Sequence, residues 1–160
     1  MRTIVTLKYG NKYSSNDVNT IYNMCKHQCQ NFWCRTDDPE GLEQGILTSH
    51  IKHSMGNWEK ILLLGKDFGG PTIYLDLDVI VQGNLTPLFN LCDEPTICET
   101  YWKDFGGAWN SSVMAWQCDN AAYIPEAFFK NFDYNLHKYD GKDDNFLYDE
   151  IGRASCRERV

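Results

Sequence analysis

Hydrophobic and polar positions alternate along this chain with a period that switches between that of a strand and that of a helix. Thr3–Lys8 alternates as a strand and ends in the turn-rich segment YGNKYSSND. The apolar residues that follow recur at helical spacing: Val18, Ile21, Tyr22 and Cys25. A helix is therefore predicted here, with Ser15 or Asn16 as its N-terminal cap.

The same alternation continues to residue 150. Strands are predicted at residues 31–36, 73–76, 96–102 and 112–117. Helices are predicted at residues 57–64, at 83–91 with Asn84 as cap, from Asp119 or Asn120 to Lys130, and from Asp143. Strands that alternate with helices predict an α/β fold, in which a mixed, mainly parallel sheet is flanked by helices.

The size and charge of the chain narrow its class. Its 160 residues suit one domain, and the net charge of −7 argues against a nucleic-acid binder, which would carry a basic patch. No apolar run reaches the roughly 18–20 residues of a membrane span. The N-terminal segment MRTIVTLKYGNKY is too short and too polar for a signal peptide, so we expect a cytoplasmic protein.

The cysteines predict free thiols. Cys25 and Cys29 lie four residues apart, but no second pair follows at a spacing that would complete a zinc site. Buried thiols in a reducing compartment are the simpler interpretation.

The last ten residues, IGRASCRERV at 151–160, resemble the translation of a common short-read sequencing adapter. We therefore expect residues 1–150 to be part of a native domain that was cut near Glu150 and continues beyond it, so that this fragment has little transfer activity. A native basic tail is the alternative interpretation.

Two carboxylates interrupt an apolar strand in the segment IYLDLDVIVQG. Asp76 and Asp78 are two residues apart, so strand alternation puts both on one side, at the edge where parallel sheets bind ligands. Carboxylates that leave water need a counter-charge. A hard cation such as Mg²⁺ or Mn²⁺ would supply it and leave positions open for phosphate oxygens. The alternative is a pair that only bonds backbone amides.

Three segments, in order, resemble family 8 of the GT-A-fold glycosyltransferases, which includes glycogenin and lipopolysaccharide galactosyltransferases. GPTIYLDLDVIVQGNLTPLF is similar to the family's D-x-D segment, AWNSSVMAWQ to its F-N-S-G-V-M-x-x-N, and GKDDNFLYDE to its D-Q-x-x-x-N. TDDPEGL and WEK also resemble phage and environmental bacterial variants. The resemblance implies a Rossmann-like GT-A fold and transfer of a hexose from a nucleotide-diphosphate sugar to a glycan, lipopolysaccharide or protein acceptor.

The resemblance also implies roles for residues that contact the nucleotide. Thr6, Tyr9 and Tyr13 would meet the uridine, with an aromatic ring stacked on the base. Asp37 would accept a bond from a base N–H, and Lys60 would pair with the diphosphate. Packing within the loop is the alternative role for the tyrosines, and a helix-surface position is the alternative for Lys60.

The resemblance also implies roles for residues at the metal end and the sugar end of the site. Asp76 and Asp78 would hold Mn²⁺ or Mg²⁺, Asp78 most directly. Hydrogen bonds to the sugar hydroxyls are implied for three residues: Asn110, Ser111 and Ser112. Asp143 and Asp144 would lie near the anomeric carbon and stabilise positive charge or act as a base. Alternatively, these two are acids of a first helical turn, favoured by the helix dipole.

The sequence departs from the family at three points. Ser112 replaces a Gly and Asp144 a Gln. No segment matches the family's H-x-x-G-x-x-K-P-W, which carries a third, histidine ligand. Two other classes stay open: a haloacid-dehalogenase-type phosphatase, whose first Asp is the nucleophile, and a nucleotide-sugar or metal-binding module without turnover.

Overall fold

A single mixed sheet organises the molecule. The computed structural model describes residues 1–99 and 109–157. Six strands lie in the order β3-β2-β1-β4-β6-β5: β1 Thr3–Lys8, β2 Asn31–Thr36, β3 Ile46–His50, β4 Thr72–Leu75, β5 Thr96–Glu99 and β6 Trp109–Trp116. The four strands β3, β2, β1 and β4 are parallel to one another, and β6 runs antiparallel to both β4 and β5. The predicted α/β class with a mainly parallel sheet is confirmed.

Helices cover both faces of this sheet. They are α1 Ser15–Cys25, α2 Glu59–Leu64, α3 Thr86–Phe89, α4 Cys118–Ala121, α5 Tyr123–Lys130, α6 Phe132–Tyr139 and α7 Asp143–Arg157. One hydrophobic cluster joins α1 and α3 to the sheet, and a second joins α2, α5, α6 and α7 to the other face. Among the described residues, no helix has the length and apolar character needed to cross a bilayer.

Strand β4 shows how the sequence builds this double layer. Ile73 and Leu75 belong to the cluster under α1 and α3, while Tyr74 between them belongs to the other cluster. All three are at most 1 % exposed. Because both faces are covered, the strand reads as a continuous apolar run. Alternation then directs Asp76 to the same face as Tyr74, toward α2 and α7.

Several predicted boundaries shift in the structure. The N-cap of α1 is Ser14 rather than Ser15 or Asn16, and Asp17 accepts bonds from the Ser14 amide at 2.7 Å and hydroxyl at 2.8 Å. The helix predicted to run to Lys130 is divided at Ala122 into α4 and α5. Pro125 lies in the first turn of α5, where its missing N–H has no intrahelical acceptor.

Some elements of the structure had no sequence prediction, and others are longer than predicted. Strand β3 and helix α6 had no prediction, and β6 begins at Trp109, three residues before the predicted start. The predicted continuation of β5 over residues 100–102 lies outside the described residues. Helix α7 runs past Glu150 to Arg157, and Ile151 packs against the core. That the tail from residue 151 is foreign stays a prediction.

The cysteines are free thiols in the part of the chain that the structure describes: Cys25, Cys29, Cys34, Cys92, Cys98 and Cys118. Burial raises the pKa of Cys25 and of Cys34 to about 12 each, so both stay protonated at neutral pH. These are inert core thiols.

A buried ion pair fixes the start of α2. The guanidinium Nε of Arg35, on β2, donates to Glu59 Oε2 at 2.7 Å, and the Glu59 side chain is 1 % exposed. Glu59 Oε1 accepts from the Met55 amide at 3.1 Å, so the loop before the helix is held too. The helix carries Lys60 next to this anchor. The ion pair therefore sets where the Lys60 side chain begins.

Removal of one partner should destabilise the fold strongly. We expect Arg35→Met to lower the free energy of unfolding by about 3 kcal/mol, because Glu59 would be left charged and buried. Urea denaturation measures this loss. Methionine at both positions should recover most of it, since no uncompensated charge then remains. A loss under about 1 kcal/mol in the single variant would show that the pair is not an anchor.

Candidate active site

A cleft of about 350 Å³ opens at the carboxyl edge of the sheet, where β1 and β4 end and where β6 and α7 begin. Polar side chains form most of its lining: Tyr9, Lys12, Tyr13, Asn57, Lys60, Tyr74, Asp76, Asp78, Asn110, Ser111, Ser112, Asp143 and Asp144. Two larger hollows, of about 580 and 440 Å³, lie around Gln28 and Asn84, and among the described residues no carboxylate lines either. The smaller cleft is therefore the one that carries acidic side chains.

The turn after β4 positions the two D-x-D carboxylates. The Asp76 amide donates to the Ser112 carbonyl at 2.9 Å, which extends the β4–β6 ladder by one residue. The Val79 amide then donates to the Asp76 carbonyl at 3.1 Å and closes a turn. As a result, the Asp76 side chain is partly buried, whereas Asp78 is exposed.

Lys60 compensates the inner carboxylate. Its ammonium lies 3.0 Å from Asp76 Oδ1 and 3.1 Å from Oδ2, so it contacts both oxygens. The Tyr74 hydroxyl donates to Asp76 Oδ1 at 2.5 Å, and the Lys60 ammonium lies 5.1 Å from the centre of the Tyr74 ring. Burial and the nearby Asp76 charge raise the pKa of Tyr74 well above 10. Tyr74 is therefore a neutral donor, and Asp76 has a counter-charge from the protein itself.

Ser111 connects this cation to the start of α7. Its hydroxyl accepts from the Lys60 ammonium at 3.0 Å and donates to Asp143 Oδ2 at 2.7 Å. Its amide donates to Asp144 Oδ1 at 2.7 Å. Both carboxylates at the helix start thus bind one residue of β6. The Lys60 ammonium is also 3.8 Å from Asp143 Oδ2, so it lies between two carboxylates.

Asp143 is a buried carboxyl group, 5 % exposed. Burial raises its pKa, and the charges of Asp144 and Asp76 add to that rise. The Lys60 charge and the hydrogen bond from Ser111 act in the opposite direction but do not cancel it. Asp144 is less buried and faces the cleft beside it.

The outer carboxylate has a separate set of contacts. The Tyr13 hydroxyl donates to Asp78 Oδ2 at 2.8 Å, and the Lys12 ammonium lies 4.6 Å from the centre of the Tyr13 ring. Tyr13 and Lys12 both belong to the loop between β1 and α1, so this loop reaches over the end of β4. Tyr9, at the start of the loop, donates its hydroxyl to Asn57 Oδ1 at 2.6 Å.

The two D-x-D carboxylates supply some, but not all, of the oxygen ligands that a hard divalent cation needs. Asp76 and Asp78 present carboxylate oxygens, which Mg²⁺ and Mn²⁺ prefer. Within residues 1–99 and 109–157, no three His, Cys, Asp or Glu side chains are grouped as a complete ligand set. Asp76 is already paired with Lys60. A cation here would need further ligands from substrate oxygens and water.

Two residues expected to meet the uridine lie outside the cleft lining. Thr6 is fully buried, and its hydroxyl donates to the Leu75 carbonyl at 2.9 Å, so it bonds within the sheet instead. Asp37 accepts from the Gly10 amide at 2.8 Å through Oδ2. Its Oδ1 is buried, and among the described residues it has no hydrogen-bond partner. Thr6 is thus unable to contact a ligand, while Asp37 keeps an unused acceptor.

The predicted sugar-binding residues line the cleft, with one correction. Asn110, Ser111 and Ser112 are all present in the lining. The Ser111 hydroxyl, however, is buried and is already donor and acceptor to protein groups. Asn110 Oδ1 accepts from the Ser112 amide at 2.8 Å. Ser111 therefore holds Lys60 and Asp143 in place, rather than offering its hydroxyl to a ligand.

Three polar residues of the lining were not predicted as site residues: Lys12, Asn57 and Tyr74. A signal existed for Tyr74, because it lies two residues before Asp76 and strand alternation puts both on one face. Lys12 lies in the loop between β1 and α1, and Asn57 lies in the 3₁₀ turn Gly56–Trp58 before α2. Whether either side chain faces the cleft depends on long-range contacts rather than on a local pattern. No sequence signal indicated them.

Solved glycosyltransferases share this fold. Glycosyltransferase GlyE of Streptococcus pneumoniae TIGR4 matches with a TM-score of 0.75 at 15 % identity, over 94 % of this chain and 43 % of GlyE. An active-site mutant of LgtC matches with a TM-score of 0.63 at 14 % identity, over 91 % of this chain and 68 % of LgtC. A structure of LgtC, described as a galactosyltransferase in complex with donor and acceptor sugar analogues, matches with a TM-score of 0.58 at 15 % identity, over 86 % of this chain and 65 % of LgtC.

These likenesses establish the class of fold. The chain spans less than half the length of GlyE and about two thirds of LgtC. Searches against protein-family models and curated proteins found no match. The architecture is therefore that of glycosyltransferases, at a sequence identity that shows the fold alone.

The raised pKa of Asp143 has a measurable consequence. A folded-state pKa above the unfolded value means that the group contributes most stability when protonated and loses it as pH rises through the folded pKa. Asp143→Asn cannot ionise. The stability of the wild type relative to this variant should therefore fall between about pH 4 and pH 7. Urea denaturation at both pH values tests this.

Asp133 offers a matched control, since it is an exposed acid in the first turn of α6. Asp133→Asn should not show that fall. If instead the wild type gains stability relative to Asp143→Asn as pH rises, Lys60 outweighs burial at this carboxyl group.

Proposed function

We propose that this protein is a glycosyltransferase that moves a hexose from a UDP-linked donor to a glycan, lipopolysaccharide or protein acceptor. Asp76 and Asp78 would hold Mn²⁺ or Mg²⁺ in this reaction. One observation carries the proposal: the D-x-D carboxylates, the segment at 110–112 and the pair at 143–144 line a single cleft. That cleft lies at the carboxyl edge of a sheet with the glycosyltransferase fold, where such sheets bind ligands.

The nucleotide end of the cleft supports a base with a ring N–H. Asp37 Oδ1, just after β2, is an unused acceptor buried outside the cleft lining, and a base would reach it by displacing the loop that carries Gly10, Tyr9 and Tyr13. Uracil has a ring N–H that such an oxygen can accept, whereas adenine and cytosine present an acceptor at the corresponding edge. The two half-exposed tyrosine rings offer stacking surfaces beside it.

The metal end supports a role in leaving-group stabilisation. A divalent cation on Asp76 and Asp78 would neutralise the charge that develops on the departing diphosphate. The protein prepares this position in advance, since Tyr74 and Tyr13 each donate to one of the two carboxylates. Oriented carboxylates lose less entropy when they bind a cation.

The sugar end supports stabilisation of a positively charged anomeric carbon. Asp143 and Asp144 lie side by side at the start of α7, and both are fixed by Ser111. A carboxylate near the anomeric carbon stabilises an oxocarbenium-like transition state. Asn110 and Ser112 line the same end and would bond sugar hydroxyls.

The contacts of Asp76 favour a transferase over a phosphatase. In the phosphatase class the first Asp of the motif attacks phosphorus with a carboxylate oxygen. Here both Asp76 oxygens contact the Lys60 ammonium, and one also accepts from Tyr74. Such donors reduce nucleophilicity. Hydrolysis of p-nitrophenyl phosphate by this chain would support the phosphatase instead.

The first test is metal-dependent binding of UDP, measured by isothermal titration with Mn²⁺ and with EDTA. Asp78→Asn should weaken UDP binding in Mn²⁺ by about tenfold or more, because Asp78 is the exposed carboxylate of the pair. Circular dichroism should show an unchanged fold. Equal UDP affinity in Mn²⁺ and EDTA would remove the metal from the proposal.

The second test concerns turnover. Asp144→Asn should lower kcat for UDP release from a UDP-hexose by roughly a hundredfold, as for loss of a catalytic carboxylate. UDP affinity and thermal stability should change little, because Asp144 lies at the sugar end. A variant that loses about 1 kcal/mol of stability with unchanged turnover would favour the helix-dipole role. UDP binding without any turnover, both in this chain and in a form that continues past Glu150 with the native sequence, would favour the binding module.

A further inference from the structure

Each D-x-D carboxylate accepts a hydrogen bond from a tyrosine hydroxyl, and a lysine ammonium lies near the ring of that tyrosine. Asp76 accepts a bond from the Tyr74 hydroxyl, and the Lys60 ammonium lies over that tyrosine ring. Asp78 accepts from the Tyr13 hydroxyl at 2.8 Å, and the Lys12 ammonium lies 4.6 Å from the centre of the Tyr13 ring. The cleft thus holds two Asp–Tyr–Lys arrangements side by side.

The two lysines differ in burial and in the ion pairs that they form. Lys60 is 7 % exposed, and its ammonium contacts Asp76, Ser111 and Asp143. Lys12 is exposed, and none of the ion pairs within the described part of the chain includes it. Movement of Lys60 toward a ligand would leave the buried Asp143 without its cation, even with a metal ion on Asp76. Lys12 can move without that cost.

The charge balance of the cleft calls for such a cation. Four carboxylates and two ammonium groups line it, so the lining is net negative. A divalent cation at Asp76 and Asp78 would offset the charge of the lining, but it would leave the negative charge of an entering diphosphate uncompensated. A mobile ammonium next to Asp78 would lie close to phosphate oxygens that share a metal with that carboxylate.

We propose that Lys12, and not Lys60, is the side chain that binds the diphosphate of the nucleotide donor. This inference rests on the proposed function, since it requires a nucleotide diphosphate in the cleft. Lys12 swings from the Tyr13 ring onto a phosphate oxygen, as a long and flexible ammonium side chain allows. Lys60 stays on Asp76 and Asp143 and acts as a positioning residue for both.

The experiment compares UDP, UMP and uridine in Mn²⁺ by isothermal titration, for the wild type and Lys12→Met. We expect Lys12→Met to weaken UDP binding roughly five- to tenfold, UMP binding less and uridine binding not at all. The salt dependence of UDP binding should also decrease, because one ion contact is lost. Lys12→Arg should retain most of the affinity for UDP.

Lys26 supplies the matched control. Its ammonium lies 5.2 Å from the centre of the Tyr22 ring, so it makes the same kind of contact, but outside the cleft lining. Lys26→Met should bind UDP as the wild type does. Equal UDP affinity in Lys12→Met and the wild type, or an equal loss for UDP and uridine, would overturn the inference. Absence of metal-dependent UDP binding in the wild type would overturn the proposed function itself.

Discussion

The arrangement of this site depends on one buried charge interaction, between the Lys60 ammonium and the Asp76 carboxylate. Asp76 directly follows the apolar strand β4 and is partly removed from water, which is costly for an uncompensated carboxylate. Lys60 meets both of its oxygens, and the Tyr74 hydroxyl takes a second position on one of them. The same ammonium also faces Asp143, so one cation organises carboxylates from β4 and α7.

The rest of the fold holds that cation in place. Lys60 begins next to the buried Arg35–Glu59 pair, which ties α2 to β2. Ser111 contacts Lys60 from β6 and fixes the start of α7 through both Asp143 and Asp144. Elements far apart in the sequence therefore converge on one polar network, and such networks stabilise a structure only when each member has partners. The open side of the cleft, around Asp78, lacks this degree of pairing.

Local pattern explains which features could be predicted from sequence. Strand β4 and its two carboxylates were predictable because an apolar run and two-residue alternation are local signals. Strand β3 was not, since it lies at the sheet edge and only two of its five residues, Ile46 and Leu47, are apolar. Ser111 illustrates a different limit: its place in the motif was recognised, but the use of its hydroxyl depends on Lys60, which comes from another part of the chain.

Paramagnetic broadening by Mn²⁺ tests the central claim, that the cleft at Asp76 and Asp78 binds a metal together with a nucleotide diphosphate. Amide spectra would be recorded with UDP and Mg²⁺, and Mn²⁺ would then be added in small amounts. Broadening should need UDP and should be centred on residues 76–78, with effects at Tyr13 and at 111–112 on the adjoining loop and strand. Broadening that does not need UDP, or that is centred on the hollows around Gln28 and Asn84, would contradict it.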